Sequence, residues 1–161
     1  MNNTENSNEK NRYIPIDDRY VEIVCKNGNK EVTCIAEMEN LGSSEFCEII
    51  HNVFWAEDSM MLLDEEDLFD IVAKNGRCVV RSFYLDLNNL DDSVDCGEIS
   101  KWVNDMSVTE PELVLAIEGE IGLLTAIDVS GKVLGDKEGT VIYSVFAGKP
   151  GVLRVTVLAF E

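Results

Sequence analysis

From Tyr20 onward apolar and polar residues alternate. Val21, Ile23 and Cys25 share one face, Lys26-Asn27-Gly28-Asn29-Lys30 interrupts, and Val32, Cys34, Ala36 and Met38 resume the alternation. An Asn-Gly turn between two runs of period two predicts a β-hairpin over 20–38. The period then lengthens. Phe46, Ile49, Ile50, Val53 and Phe54 recur at i, i+3, i+4, i+7 and i+8, which predicts an amphipathic helix over about 43–56 capped by Ser43 or Ser44. Its stripe is too apolar to leave in water, so hairpin and helix are expected to pack on the remainder of the chain. A second helix is predicted over 65–74. It opens at Asp64 with Glu65, Glu66 and Asp67 in its first turn, where free N–H groups favour negative charge. It buries Leu68, Ile71 and Val72 before Asn75-Gly76 ends it.

Cys78 to Leu85 reads as a strand, and Cys96, Ile99, Val103 and Met106 restore helical spacing over 93–106. After Pro111 come a short apolar strand over 113–117 and a helix over 122–134, loosened by Gly131. The plainest strands are 140–147 and 153–160, and the intervening Gly148-Lys149-Pro150-Gly151 predicts that they pair antiparallel. In the last run Leu153, Val155, Val157 and Ala159 face one side, Arg154 and Thr156 the other. Together these elements predict an α+β fold, a two-layer sandwich. Its mixed four-stranded sheet (78–85, 113–117, 140–147, 153–160) carries helices on one face, and an N-terminal hairpin and helix are added to it. Residues 1–12 hold no apolar side chain after Met1 and are expected to be a disordered tail. The span 13–161 is then one domain, divided into 13–63 and 64–161.

Charge narrows the partners. The 161 residues include 13 Lys+Arg and 31 Asp+Glu, a net −18, on a composition 45% hydrophobic and 27% charged. Such a field repels nucleic acid and anionic lipid, and leaves proteins and cations as the expected partners. No apolar run approaches the roughly 20 residues of a membrane span. The first twelve residues also lack the apolar middle of a secretory signal, so the sequence predicts a cytoplasmic protein.

The cysteines, Cys25, Cys34, Cys47, Cys78 and Cys96, are odd in number and never spaced C-x-x-C, which favours reduced core thiols over zinc or redox chemistry. His51 is the one histidine, too little for a triad or a multi-histidine metal site. No phosphate-cradling glycine loop is present and no cofactor is implied. Glu65, Glu66, Asp70, Asp91, Asp92 and Asp95 are hard oxygen donors for Mg²⁺ or Ca²⁺, but without calcium-loop spacing they read as a solvated acidic face. Trp55 and Trp102 are either interface anchors or core-edge residues.

Four stretches carry a resemblance: Asp64-Glu65-Glu66-Asp67-Leu68-Phe69-Asp70-Ile71-Val72, Leu113-Val114-Leu115-Ala116-Ile117-Glu118-Gly119-Glu120, Thr140-Val141-Ile142-Tyr143-Ser144-Val145-Phe146, and Leu153-Arg154-Val155-Thr156-Val157-Leu158-Ala159. In order and character they resemble the C-terminal domain of FtsZ, the bacterial tubulin homologue, with the last stretch the most specific. Only 63 residues precede Asp64, so the family's nucleotide-binding domain has no room there and no GTP binding of the family's kind is expected. In FtsZ an Asn-x-Asp-x-x-Asp loop places two aspartates against the water that attacks GTP in the neighbouring subunit. By position Asp64 and Asp67 match them, while Leu62 stands where the asparagine would be.

The resemblance therefore implies a non-enzymatic protein that binds FtsZ or a tubulin-like partner and modulates or caps its polymerisation. The contact would be made by Leu62, Asp64, Glu65, Glu66 and Asp67. Two competing readings stand beside it. One is a self-associating scaffold or interaction protein unrelated to cell division. The other is a small acidic enzyme using the carboxylates of 64–70, for which nucleophile, cofactor loop and metal-ligand spacing are all missing.

Overall fold

The computed structural model describes residues 10–87 and 94–161. In chain order the elements are β1 (Arg12–Pro15), β2 (Tyr20–Asn27), β3 (Lys30–Met38), α1 (Ser43–Trp55), β4 (Ser59–Met61) and α2 (Glu65–Lys74). Then come β5 (Arg77–Leu85), α3 (Gly97–Asn104), β6 (Glu112–Glu118), α4 (Leu123–Lys132), β7 (Thr140–Phe146) and β8 (Leu153–Phe160). All eight strands join one mixed sheet in the order β1-β2-β3-β5-β8-β6-β7-β4.

The predicted hairpin forms, with β2 and β3 in register from Tyr20↔Glu37 to Asn27↔Lys30. Gly28 turns it at φ +59°, a conformation open to a residue without Cβ. β3 lies parallel to β5, β8 runs antiparallel to both β5 and β6, and β6 is parallel to β7. The sheet edges are blunted. β1 ends at Pro15, which has no N–H to offer, and β4 is three residues long with an irregular register on β7.

Because side chains alternate across a strand, each central strand feeds two cores. On one side Val114 and Ala116 of β6 and Leu158 and Phe160 of β8 meet Phe46, Ile50 and Val53 of α1 and Leu68 and Val72 of α2. On the other, Leu113, Leu115 and Ile117 of β6 and Leu153, Val155 and Val157 of β8 meet Ile99 and Val103 of α3 and Ala126 and Val129 of α4. α1 touches both β1 and β7, which lie near opposite ends of the strand order, so the sheet curls around α1. The α1/α2 side is concave and the α3/α4 side convex.

The fold departs from the sequence-based expectation in several ways. The sheet has eight strands rather than four, since the hairpin extends it and two short strands close its ends. Helices cover both faces, which makes three layers rather than two. β7 and β8 do not pair. β6 lies between them, because the almost wholly apolar β8 gains most by taking a central place with both faces buried. α1 is preceded by Gly42 without a side-chain cap. Ser43 instead turns inward, its hydroxyl donating to the backbone carbonyl of Asp17. Of the expected tail, residues 1–9 lie outside the described residues, while Asn11 is buried and Arg12 opens β1. The expected start of the third helix at 93 also lies outside them, and α3 itself is shorter, ending at Asn104.

Candidate functional site

The acidic stretch sits where β4, the C-terminus of α1 and the head of α2 converge. Its backbone is fixed on both sides. Ser144 Oγ donates to the carbonyl of Met61 at 2.9 Å, and the N–H of Leu63 donates to the carbonyl of Val53 at 3.2 Å. Asp64 caps α2. Its Oδ1 accepts the N–H of Glu66 at 3.0 Å, and the N–H of Asp64 donates to Asp67 Oδ2 at 3.3 Å, a reciprocal capping box. The same two aspartates singled out by resemblance thus cap the start of the helix.

The five candidate partner-binding residues are not equivalent. Leu62, Asp64, Glu66 and Asp67 are exposed, and Met60 beside them is 52% exposed. Glu65 turns inward to 8% exposure, its Oε2 accepting the N–H of Lys10 at 2.7 Å. The inward turn follows from helix geometry, since Glu65 lies three and four residues before the buried Leu68 and Phe69. An outer surface of two apolar and three acidic side chains remains.

The other candidates separate. Among the described residues no group of three or more His, Cys, Asp or Glu is arranged to hold a metal ion. Glu66 and Asp70 are on α2, Asp95 Oδ1 accepts the N–H of Gly97 at the start of α3, and Asp91 and Asp92 lie outside the described residues. Trp102 packs edge-on against Phe83, centroids 5.8 Å apart, and its Nε1 donates to Glu39 Oε2 at 3.0 Å. Trp55 is partly buried against the concave core. All five cysteines are free. Burial pushes the Cys25 thiol up to about 12 and the Cys96 thiol up to about 11. It also raises Cys47 and Cys78, so these four remain protonated and weakly nucleophilic at neutral pH. His51 is exposed on α1.

Sequence reasoning missed a polar seam on the concave side. Arg154, with its side chain only 13% exposed, forms an ion pair with Glu45. It also donates from Nη2 to Ser82 Oγ at 3.1 Å and lies 5.5 Å from the centre of the Tyr84 ring. Ser82 and Thr156 share a buried hydrogen bond of 2.8 Å. Across from Arg154 in register, Glu118 is raised above the usual carboxylate range by burial, an effect that Arg154 opposes. The seam borders a cavity of about 860 Å³. Its signal in the sequence was the polar pair Arg154 and Thr156 within an otherwise apolar strand.

A curled mixed sheet between two helix layers is an α+β fold of the FtsZ-like C-terminal kind. The comparison with solved structures supports that class. The chain is similar to the FtsZ W319Y mutant from M. jannaschii, with TM-score 0.52 and 14% identity, covering 74% of this chain and 40% of that one. At that identity the likeness is one of fold, and this chain spans less than half the length of that FtsZ. No family model matches the sequence, and no curated protein does. Among the described residues no helix is long and apolar enough to cross a membrane.

Proposed function

We propose that this chain is a cytoplasmic, non-enzymatic binding module that docks on FtsZ or an FtsZ-like polymer subunit through residues 60–67 and limits polymer growth. The observation that carries the reading is the exposure of Met60, Leu62, Asp64 and Asp67 together on a fold shared with FtsZ. The braced backbone favours binding, because little ordering entropy is left to lose. Docked through this surface, the chain would occupy the exposed end of a polymer and block the addition of the next subunit there.

Light scattering and electron microscopy across a titration test this. Substoichiometric protein should shorten FtsZ polymers, and the chain alone should hydrolyse no GTP. Asp64→Asn with Asp67→Asn keeps side-chain acceptors for the capping box while removing both charges. It should abolish the shortening while lowering the melting temperature by no more than a few degrees, the cost of two charges at a helix N-terminus. Polymers indifferent to an equimolar amount would sink the reading. The scaffold alternative is favoured by one observation, the exposed Leu123, Leu124 and Ile127 on α4. Sedimentation showing dimers that Ile127→Lys dissolves would move it ahead.

A further inference from the structure

Beside the exposed loop, the chain around β1, the C-terminal half of α1 and the head of α2 enclose a pocket of about 260 Å³ lined by Asn11, Arg12, Tyr13, His51, Trp55 and Glu65. A second hollow of about 270 Å³ shares Trp55 and Glu65 with it. Glu65 and Asn11 are 8% and 7% exposed. Each has one satisfied polar atom: Glu65 Oε2 accepts the N–H of Lys10, and Asn11 Nδ2 donates to the Tyr13 hydroxyl at 3.2 Å. The remaining oxygens, Glu65 Oε1 and Asn11 Oδ1, are buried and accept no hydrogen bond. Two such acceptors lining one small pocket are costly, the carboxylate oxygen most of all, unless a donor of positive charge completes them. Of the adjoining basic side chains, Lys10 Nζ lies 4.0 Å from Glu66 and Arg12 3.6 Å from Glu31, and His51, which also lines the pocket, is itself partnered. Residues 1–9 contain no Lys or Arg.

We propose that this pocket receives the guanidinium of an arginine side chain on a protein partner, with Glu65 Oε1 and Asn11 Oδ1 as its acceptors and the Trp55 and Tyr13 rings as its walls. A guanidinium fits better than an ammonium. Its N–H groups diverge in a plane and serve acceptors on two residues at once, and its weakly hydrated face packs on aromatic rings. The net charge of −18 draws such a cation in. The inference deepens the docking reading by naming a chemical feature of the partner, but it does not require the partner to be FtsZ.

The test uses the full chain and acetyl-Gly-Arg-Gly-amide as probe, with Lys and Gln counterparts, followed by the indole N–H resonances in NMR at low salt. The arginine peptide should shift the Trp55 indole saturably and leave Trp102 in place, the lysine peptide should bind several-fold more weakly, and the glutamine peptide should do nothing. Glu65→Gln should weaken arginine binding about tenfold or more, the ratio expected for losing a charge-assisted hydrogen bond. Its melting temperature should stay level or rise. Asn11→Ala, a milder change, should weaken binding about threefold. Equal responses to arginine and glutamine or lysine, or binding indifferent to both variants, would overturn the proposal. Arginine-peptide binding with FtsZ polymers unaffected would sustain the pocket and remove the polymer reading. Shortened polymers without peptide binding would remove the pocket alone.

Discussion

In the hairpin strands β2 and β3 one row of side chains, Ile23, Cys25, Cys34 and Ala36, is buried under the concave-side helices. Of the other row, Glu22, Thr33, Ile35 and Glu37 reach solvent in part or whole, and only Val24 is buried. In β8 both rows are covered, from Leu153 and Val155 on the convex side to Leu158 and Phe160 on the concave side. Where no helix covers the hairpin, charge lies over it. Glu37 accepts from Arg19 at 2.6 Å and from Arg77 at 2.9 Å, and Arg81 reaches Glu39 at 3.2 Å. The comparison teaches that one half of the sheet is specified by alternation and surface ion pairs, the other by apolar volume on two sides, and α1 spans both.

The severest way to break that division is Ile50→Asp, since Ile50 is fully buried on α1 beneath the curled sheet. An unpaired buried charge there should cost upwards of about 4 kcal/mol and abolish cooperative melting of both halves together, read by circular dichroism. Survival of either half with α1 detached would show that the helix does not unite them. Next, Leu158→Ala in the doubly covered β8 should cost about 2–5 kcal/mol in urea denaturation. Ile35→Ala on the open row of the hairpin should change stability by less than about 0.5 kcal/mol. Similar losses at the two positions would erase the distinction.

A smaller effect isolates the head of α2. Asp64→Ala should lose about 1 kcal/mol with the capping box, whereas Asp64→Asn should lose far less, because an amide oxygen still accepts the N–H of Glu66. The smallest expected effect is electrostatic. Arg77, then Arg19, hold Glu37 below the usual carboxylate range by hydrogen bonding and charge, against the opposing effect of burial. A depressed carboxylate contributes stability above its unfolded value, near 4.3, and loses it as pH falls through the lower folded value. Glu37→Gln should therefore narrow the gap between denaturation midpoints at pH 7 and pH 3, by no more than the about 0.2–1 kcal/mol of exposed ion pairs.

What the sequence made legible follows the same division. The hairpin, with one buried row, was readable to within its ends, although its turn is made by Gly28 and Asn29, with Asn27 paired to Lys30, rather than by Asn27-Gly28. α2 was readable to the residue, because Asp64 announces its start and Asn75-Gly76 its stop. β8 was recognised as a strand, yet its place was not. Pairing with β5 and β6 is decided by contacts more than thirty residues apart in the chain, whereas the local turn before it pointed to β7. β1 and β4, four and three residues long, are too short to show a period. At the candidate site the cap was legible from the aspartates, and the inward turn of Glu65 was legible too from its place three residues before Leu68 on the buried face, but reading the three acids together as one acidic surface hid it.

The position of β8 also bears on how the chain acquires its structure. Every other strand precedes it in the chain, yet it is the partner that joins β5 to β6. During synthesis the hairpin, α1 and α2 can assemble from neighbouring segments as they leave the ribosome. β5 and β6 must meanwhile wait with open, apolar flanks until residues 153–160 arrive. Nascent chains stalled short of residue 153 are the species most exposed to strand-to-strand aggregation, and the sheet closes as one late, long-range event rather than growing strand by strand.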